Sequence, residues 1–458
     1  MMIRLFSHYL RRQAVMQGLV DLGLIALIFT TACLLQTQWA DTVPAATYAF
    51  SVAAGLFLVT SASGLYRAAS QRSVGQSFAR AAVTCVLLLP LTYVLVGILA
   101  AGEENETLRW IATACIAAVI THRVYVGHVK RPAHASSRLL IYGSGSPAQQ
   151  VTQALAWTNL DVQVVGYVAG PNETQSLVDS ARVLTHTGPL HEQALALGVD
   201  EIVVAVEERR GGSMPLRELL DCKVSGIRVS DLSTYFERTL RQIRIDHVRA
   251  GWLIFGDGFS QGLYRRTAKR LLDMAVSMLL LVLAAPVIVF TGVAIRLESR
   301  GPIFYAQERV GRNGRPFRVF KFRSMRLDAE KDGQPQWAAK KDDRVTQVGG
   351  FIRRYRIDEL PQIVNVLKGD MSLVGPRPER PFFVEQLRRE IPYYAVRHCV
   401  KPGVTGWAQV RYQYGSTIAD SLEKLQYDLY YVKNHSVFLD ILILLETVGV
   451  VLSGKGAR

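Results

Sequence analysis

Two adjacent carboxylates, Asp358 and Glu359, and an arginine, Arg377, lie within the block RIDELPQIVNVLKGDMSLVGPRPER, residues 356–380. One carboxylate can attack phosphorus, a second can hold a divalent metal, and a fixed guanidinium can grip phosphate oxygens. Those are the groups that phosphoryl transfer from an activated diphosphate requires. Leu360-Pro361 and a short helical pattern follow the acids; proline suits a first helical turn, where its missing N–H would be unpaired anyway. Gly369 suits the stop of that helix. The acids are therefore expected at a helix N-terminus, where backbone N–H groups and the helix dipole favour anions. Val374-Gly-Pro-Arg-Pro378 presents Arg377 on a stiff, proline-bracketed turn. Each part alone has an ordinary structural reading; their combination behind a basic, apolar segment carries the inference.

The elements that must position these groups include membrane segments. Of the 458 residues, 49% are hydrophobic, too many for an ordinary soluble enzyme, and the length suits two or three domains. Apolar segments at roughly 15–37, 45–65, 80–101 and 108–128 are each about the length that spans a bilayer core as a helix. Arg4, Arg11 and Arg12 precede the first; Arg67, Arg72 and Arg80 separate the second from the third; Arg123, Lys130, Arg131 and Arg138 follow the fourth. The two other loops carry Asp41, and Glu103, Glu104 and Glu106 with only Arg109. By the positive-inside rule the N-terminus and everything after residue 130 face the cytoplasm. The first segment carries Asp21 and runs long, like a retained anchor rather than a cleaved signal.

A fifth apolar segment, Leu271–Leu297, differs. It is entered through Arg265, Arg266, Lys269 and Arg270 and left through Arg296 and Arg300, so both ends prefer the cytoplasm. Pro286 near its middle removes a helix hydrogen bond. A re-entrant helix–break–helix satisfies both flanks and brings the acid block to the bilayer surface. The five cysteines, Cys33, Cys85, Cys115, Cys222 and Cys399, have no paired spacing, which speaks against a disulfide framework or a zinc site. The net charge of +15, beside membrane segments, fits anionic lipid or anionic substrate better than nucleic acid.

Residues 138–260 change character. A strand-like run at Arg138–Tyr142 leads into Gly143-Ser-Gly145-Ser-Pro-Ala148, the G-x-G-x-x-A form of a dinucleotide-binding turn. Further strand-like runs at Val162–Val168, Glu201–Val206 and Ile227–Val229 alternate with helical stretches, which predicts a small parallel α/β domain. The acid expected at the end of the second strand to hold a ribose is missing, since that place reads Val168-Ala-Gly-Pro-Asn-Glu173. A structural or regulatory role, including oligomerisation, is favoured over a bound dinucleotide.

From Arg296 to Arg326 nine basic residues face two acids, Glu298 and Glu308, with Phe304, Tyr305, Phe317, Phe320 and Phe322 interleaved. This pattern suits a membrane surface and also phosphate binding by Lys321 and Arg323 together with Arg377. Arg356, Pro376 and Glu379 complete the candidate substrate-binding set. Lys401–Gln409 reads as a loop that either packs Trp407 or lines a pocket, and Arg411–Gly415 as an element that could read sugar hydroxyls. Val437–Leu452 is short for a span, carries Asp440 and Glu446, and reads as an amphipathic docking helix.

FYAQERVGRNGRPFRVFKFRSM (304–325), DELPQ, GPRPE and KPGVTGWAQVRYQYGS (401–416) resemble the catalytic core of the bacterial sugar transferases. These are the polyprenyl-phosphate hexose-1-phosphate transferases that begin exopolysaccharide and O-antigen units. The resemblance runs from about Arg265 to Lys455, and the ending at 421–452 looks closest to the exosortase-associated exopolysaccharide branch. It implies a membrane protein with a helical bundle (1–130), a Rossmann-like domain (138–260), and a mostly α monotopic catalytic domain (265–458) whose re-entrant helix (271–297) breaks at Ala285-Pro286. It also implies the bacterial inner membrane as location, multi-pass with a cytoplasmic catalytic domain. UDP-hexose, polyprenyl phosphate and membrane lipid are the implied partners, with no nucleic acid and with a homo-oligomer left open. Finally, it orders the carboxylates: Asp358 attacks the sugar-linked phosphorus and expels UMP, while Mg²⁺ is held by Glu359 with Asp358. A rival, a nucleotide-sugar dehydratase or epimerase, would need a Tyr-x-x-x-Lys pair, which occurs nowhere in the chain. A non-catalytic scaffold would not need Asp358, Glu359 and Arg377.

Overall fold

The computed structural model describes residues 2–5, 8–35, 104–128, 137–158, 162–171, 173, 176–185, 188–206, 214–247, 258–259, 262–326, 344–412, 415 and 417–452. The expected spans at 45–65 and 80–101 lie outside the described residues, as do three positions of the stretch after Tyr412. Two compact units form, Met1–Ile3 with Tyr9–His247 and Arg4–His8 with Val248–Arg458.

In the first unit, helices α1 (Arg12–Leu35) and α2 (Glu104–His128) correspond to the first and fourth apolar segments. They pack on each other, and the buried Asp21 carboxylate meets His122 Nδ1 at 3.1 Å between them. Strands β3 (Ser137–Tyr142), β4 (Val162–Val168), β5 (Glu201–Val204) and β6 (Arg228–Asp231) follow the short ribbon β1 (Met2–Leu5) and β2 (His8–Arg11). They form an all-parallel sheet in the order β4-β3-β5-β6. Helices α3 (Ser146–Thr158), α4 (Leu190–Ala196), α5 (Leu216–Val224) and α6 (Leu232–Leu240) alternate with the strands. Strand alternation sends Leu140, Tyr142, Ile202 and Val204 into one core and Leu139, Ile141, Val203 and Ala205 into the other. A parallel sheet covered on both faces explains why its strands read as short continuous apolar runs.

The glycine turn after β3 is built as the motif predicts. Gly143 has φ +133°, and a Cβ there would fall 2.3 Å from the Ala205 carbonyl oxygen. Beyond the end of β4, Glu173 folds back onto the turn. Its Oε2 accepts from Ser144 N (2.6 Å), Ser144 Oγ (3.0 Å) and Gly170 N (3.0 Å), so the chain's own carboxylate sits on the donors a ligand phosphate would use.

The second unit begins with helix α7, Leu263–Glu298. It runs through Pro286 without interruption, so the break expected at Ala285-Pro286 is corrected to a proline inside one helix. A proline removes one hydrogen bond, and the long apolar runs on both sides keep the rest of the ladder intact. Every residue from Met278 to Val287 except Ala284 is exposed, whereas Asp273, Ser277, Thr291, Gly292 and Ile295 are buried. The antiparallel hairpin β7 (Phe304–Val310) and β8 (Pro316–Phe322) follows, with Phe304 opposite Phe322. Then come α8 (Gln347–Arg354), α9 (Gln362–Lys368), β9 (Ser372–Val374) and α10 (Pro381–Glu390). Strand β10 (Gly403–Thr405) pairs parallel to β9 and leads into α11 (Trp407–Arg411), so the expected loop contains a short strand and a helical turn. Helices α12 (Ile418–Asn434) and α13 (Val437–Leu452) close the unit. Trp407 is buried among His8, Tyr430 and Arg411, the packing alternative for that segment. Helix α13 buries Leu439, Asp440 and Ile443 and leaves Ile441 and Val448 exposed, as a docked amphipathic helix should.

Candidate active site

The two carboxylates sit in a 3-10 turn, Ile357–Glu359, that precedes α9. Arg356 starts the turn in the left-handed region (φ 59°), a conformation uncommon for a residue with a Cβ. Pro361 caps α9, and Gly369, at φ 93°, ends it by donating to the Asn365 and Val366 carbonyls. The expected helix therefore forms, with the acids one turn ahead of it.

Both carboxylates are 8% exposed, but their surroundings differ. Glu359 Oε1 accepts from Arg377 Nη2 (2.7 Å), Lys321 Nζ (3.0 Å) and Arg356 Nη1 (3.4 Å). Burial alone would raise its pKa, yet Arg377, Lys321 and Arg356 together outweigh burial and hold it well below the usual carboxylate range. Asp358 makes no side-chain hydrogen bond or ion pair with another described residue. Burial, and then the charge of Glu359, push its pKa up, while Lys321, Arg356 and Arg377 oppose them. The pair thus separates into one clamped, weakly basic carboxylate and one free, more basic carboxylate.

The structure brings Lys321, Arg356 and Arg377, three of the candidate substrate-binding residues, together on Glu359. Arg323 is a correction. Its guanidinium donates to Arg300 O (3.0 Å), Ser299 O (2.8 Å) and Ser299 Oγ (2.8 Å), with Ile295 O at 3.5 Å. The carbonyls that end a helix lack intrahelical donors, and Arg323 caps α7 instead of facing substrate. Pro376 contributes a backbone carbonyl that accepts from Gly403 N, and Gly375 N donates to Thr405 O, so the turn carrying Arg377 is laced to β10. Glu379 points to Arg309 (3.4 Å) while its carbonyl accepts from Val310 N, tying the same turn to β7.

Several buried polar groups behind the site were missed from sequence. Asn365, fully buried, donates to Arg318 O (2.7 Å) and accepts from Phe320 N (3.0 Å), locking α9 to β8 and thereby Lys321 to Glu359. Asp273 on α7 accepts from Ser372 Oγ (3.0 Å) and Leu373 N (3.1 Å). Lys269 donates to Asp440 (2.7 Å), Tyr431 (3.2 Å) and Val374 O (3.1 Å), and Arg270 donates to the Val366 and Leu367 carbonyls. The first turns of α7 therefore hold both α9, behind the acids, and β9, ahead of Arg377. The i, i+4 spacing of Lys269 and Asp273 at the mouth of an apolar helix was the available signal.

Among the described residues no three His, Cys, Asp or Glu side chains converge. The donor chemistry present fits a cation that takes one or two carboxylates and completes its shell with water and substrate phosphate, the usual Mg²⁺ arrangement. Asp358 and Glu359 Oε2 are the available oxygens.

The sequence model for "Bacterial sugar transferase" matches residues 264–454. A UDP-N-acetylgalactosamine-undecaprenyl-phosphate N-acetylgalactosaminephosphotransferase of Aeromonas hydrophila is 44% identical over 242 residues, covering 53% of this chain and 56% of that protein, little more than half its length. A UDP-glucose:undecaprenyl-phosphate glucose-1-phosphate transferase of Escherichia coli (strain K12) is 32% identical over 370 residues, 77% of each chain. A putative undecaprenyl-phosphate N-acetylgalactosaminyl 1-phosphate transferase of Bacillus subtilis (strain 168) is 54% identical over 129 residues, 28% of this chain and 72% of that one.

Proposed function

The chain belongs to the bacterial sugar transferase family of phosphotransferases, and we propose that it moves a hexose 1-phosphate from a UDP-sugar to polyprenyl phosphate. The observation that carries this is the contrast within the acid pair. A buried carboxylate with no side-chain hydrogen bond to another described residue lies beside one gripped by three cations. A free, more basic oxygen is the better nucleophile, which supports Asp358 in that role. Asp358 attacks the sugar-bearing phosphorus, the bond from that phosphorus to the bridging oxygen breaks, and UMP leaves with the bridging oxygen. An oxygen of polyprenyl phosphate then attacks the same phosphorus, the aspartyl bond breaks, and polyprenyl-diphosphate-hexose forms with the Asp358 carboxylate restored.

Lys321, Arg356 and Arg377 supply positive charge to the diphosphate, and Arg377 suits bidentate contact with its oxygens. Mg²⁺ held by Glu359 and Asp358 would neutralise diphosphate charge when bound. Helix α7 has the length and apolarity to enter a membrane. Its exposed apolar middle, from Met278 to Val287, supports insertion into the bilayer from the cytoplasmic side. Helices α1 and α2, with apolar stretches Val15–Ile28 and Arg109–His122, support the multi-pass N-terminal bundle in the inner membrane. The reaction in this setting begins an exopolysaccharide unit.

The test is UMP release from a panel of UDP-sugars with polyprenyl phosphate and Mg²⁺, comparing wild type with Asp358→Asn. Release with one sugar, lost in the variant, is expected. No release from any UDP-sugar by folded enzyme overturns the reading.

A further inference from the structure

We propose that Arg397, held by Asp428, is a positioning residue that sets the Arg377 side chain through the Arg377 backbone carbonyl. Arg397 lies in a 3-10 stretch, Tyr394–Cys399, and is 5% exposed. Its Nη2 donates to Arg377 O (2.8 Å) and to Asp428 Oδ2 (2.8 Å), and Nε donates to the same Asp428 oxygen (3.0 Å). Nη1 donates to Tyr394 Oη (3.0 Å). The ion pair with Asp428, on α12, already matches the two buried charges. The bond to Arg377 goes further than charge balance, reaching twenty positions back to one carbonyl of the turn that carries a guanidinium into the site.

That carbonyl lies between the tied parts of the turn. Pro376 has a fixed φ, and Pro378 restricts Arg377 to extended conformations. Upstream, Gly375 N and the Pro376 carbonyl are tied to β10; downstream, the Glu379 carbonyl is tied to Val310 N. Between these ties lies the Arg377–Pro378 peptide, whose orientation, with the flanking backbone held, sets the course of the chain at Arg377. Arg397 fixes that orientation, and Arg377 Nη2 then meets Glu359 Oε1 at 2.7 Å. Positioning of this kind governs catalytic geometry, since displacement of a clamp by about 1 Å can cost on the order of 100-fold. Losing one fixed hydrogen bond while the ion pair survives should cost less.

The proposal rests on the proposed role of Arg377 toward the diphosphate, and the test separates the two. UDP is the probe, with its affinity measured by titration calorimetry on full-length Asp358→Asn enzyme in nanodiscs. Arg397→Lys keeps a cation for Asp428 but gives up the fork that reaches the carbonyl. It should weaken UDP about tenfold, the scale of one hydrogen bond to a charged group, and should weaken it no further when Arg377→Ala is already present. Equal weakening in both backgrounds, or none in the first, overturns positioning. If Arg377→Ala alone leaves UDP affinity unchanged, the role of Arg377 toward the diphosphate fails instead. Should Arg397→Lys fail to fold, Tyr394→Phe, which frees one anchor and spares the ion pair, should weaken UDP about threefold in the presence of Arg377 only. Equal or absent weakening there counts equally against the proposal.

Discussion

Replacing Glu359 by glutamine and Lys321 by methionine should move the acid limb of the pH–rate profile in opposite directions. Burial raises the Asp358 pKa most and the Glu359 charge raises it further, whereas Lys321, Arg356 and Arg377 lower it. Glu359→Gln removes the anion and leaves three cations facing Asp358, so Asp358 ionises at lower pH and activity extends further into acid. Lys321→Met removes a cation that stands 3.0 Å from Glu359, so Asp358 keeps its proton to higher pH. A unit charge about 5 Å away, at an effective dielectric constant near 20, contributes about 3 kcal/mol. Lys321 is 21% exposed, and solvent screening roughly halves that figure. The result is about a tenfold change in the hydrogen-ion concentration at half-maximal rate for Lys321→Met, and a larger one in the opposite direction for the less exposed Glu359. The assay is UMP release, analysed as kcat/KM for the UDP-sugar across the acid range. That parameter reports free enzyme and free UDP-sugar, so ionisation of the polyprenyl phosphate does not enter. Both variants will also be slower, but the limb position is independent of the absolute rate. Limbs that move the same way, or stay within about threefold of wild type, refute the assignment of the acid limb to Asp358.

Arg323→Met should lower stability by about 1–3 kcal/mol, because it strips donors from the carbonyls that end α7, yet leave KM for the UDP-sugar unchanged per folded molecule; a raised KM would return Arg323 to the substrate site. Asn365→Ala should cost about 2–4 kcal/mol, since the Arg318 carbonyl and the Phe320 N–H lose their partner together, and thermal unfolding in nanodiscs reads it. Lys269→Met leaves Asp440 buried without its cation and should cost about 3–5 kcal/mol, whereas Lys269→Met with Asp440→Leu should recover most of that loss in the same measurement.

Asp358, Glu359, Arg377 and Lys321 were legible because each lies in a short motif whose local chemistry is self-announcing: an acid pair before a proline, an arginine between prolines, a lysine in a basic run interleaved with aromatics. Arg323 was misread for the same reason. A basic residue two positions from Lys321 looks like its neighbour on the site, and only the end of α7 reveals the carbonyls that claim it. Strand β4 was found with its observed limits because Val162–Val168 is rich in valine and tyrosine, residues that favour strands even at a half-exposed sheet edge. Lys269 and Asp440 are 171 positions apart, and no local pattern joins them. Arg397 and Asp428 are buried against each other from 31 positions apart, and no local pattern singles either out. Pro286 carried a correct local expectation, a missing hydrogen bond, whose effect on the helix was overstated.

Glu173 has a consequence for how the α/β domain stays folded. A turn that depends on a diffusible ligand gains stability in proportion to the logarithm of that ligand's concentration, so its integrity follows the nutritional state of the cell. Here the anion is covalently part of the chain, three residues beyond Gly170, and reaches Ser144 and Gly170 with both hydrogen-bonding partners already at hand. Its effective concentration is set by the length of the connecting loop and by nothing outside the molecule. The domain keeps a parallel sheet and a glycine turn whose donors its own carboxylate holds, so the stability of that turn is insulated from the nucleotide pool.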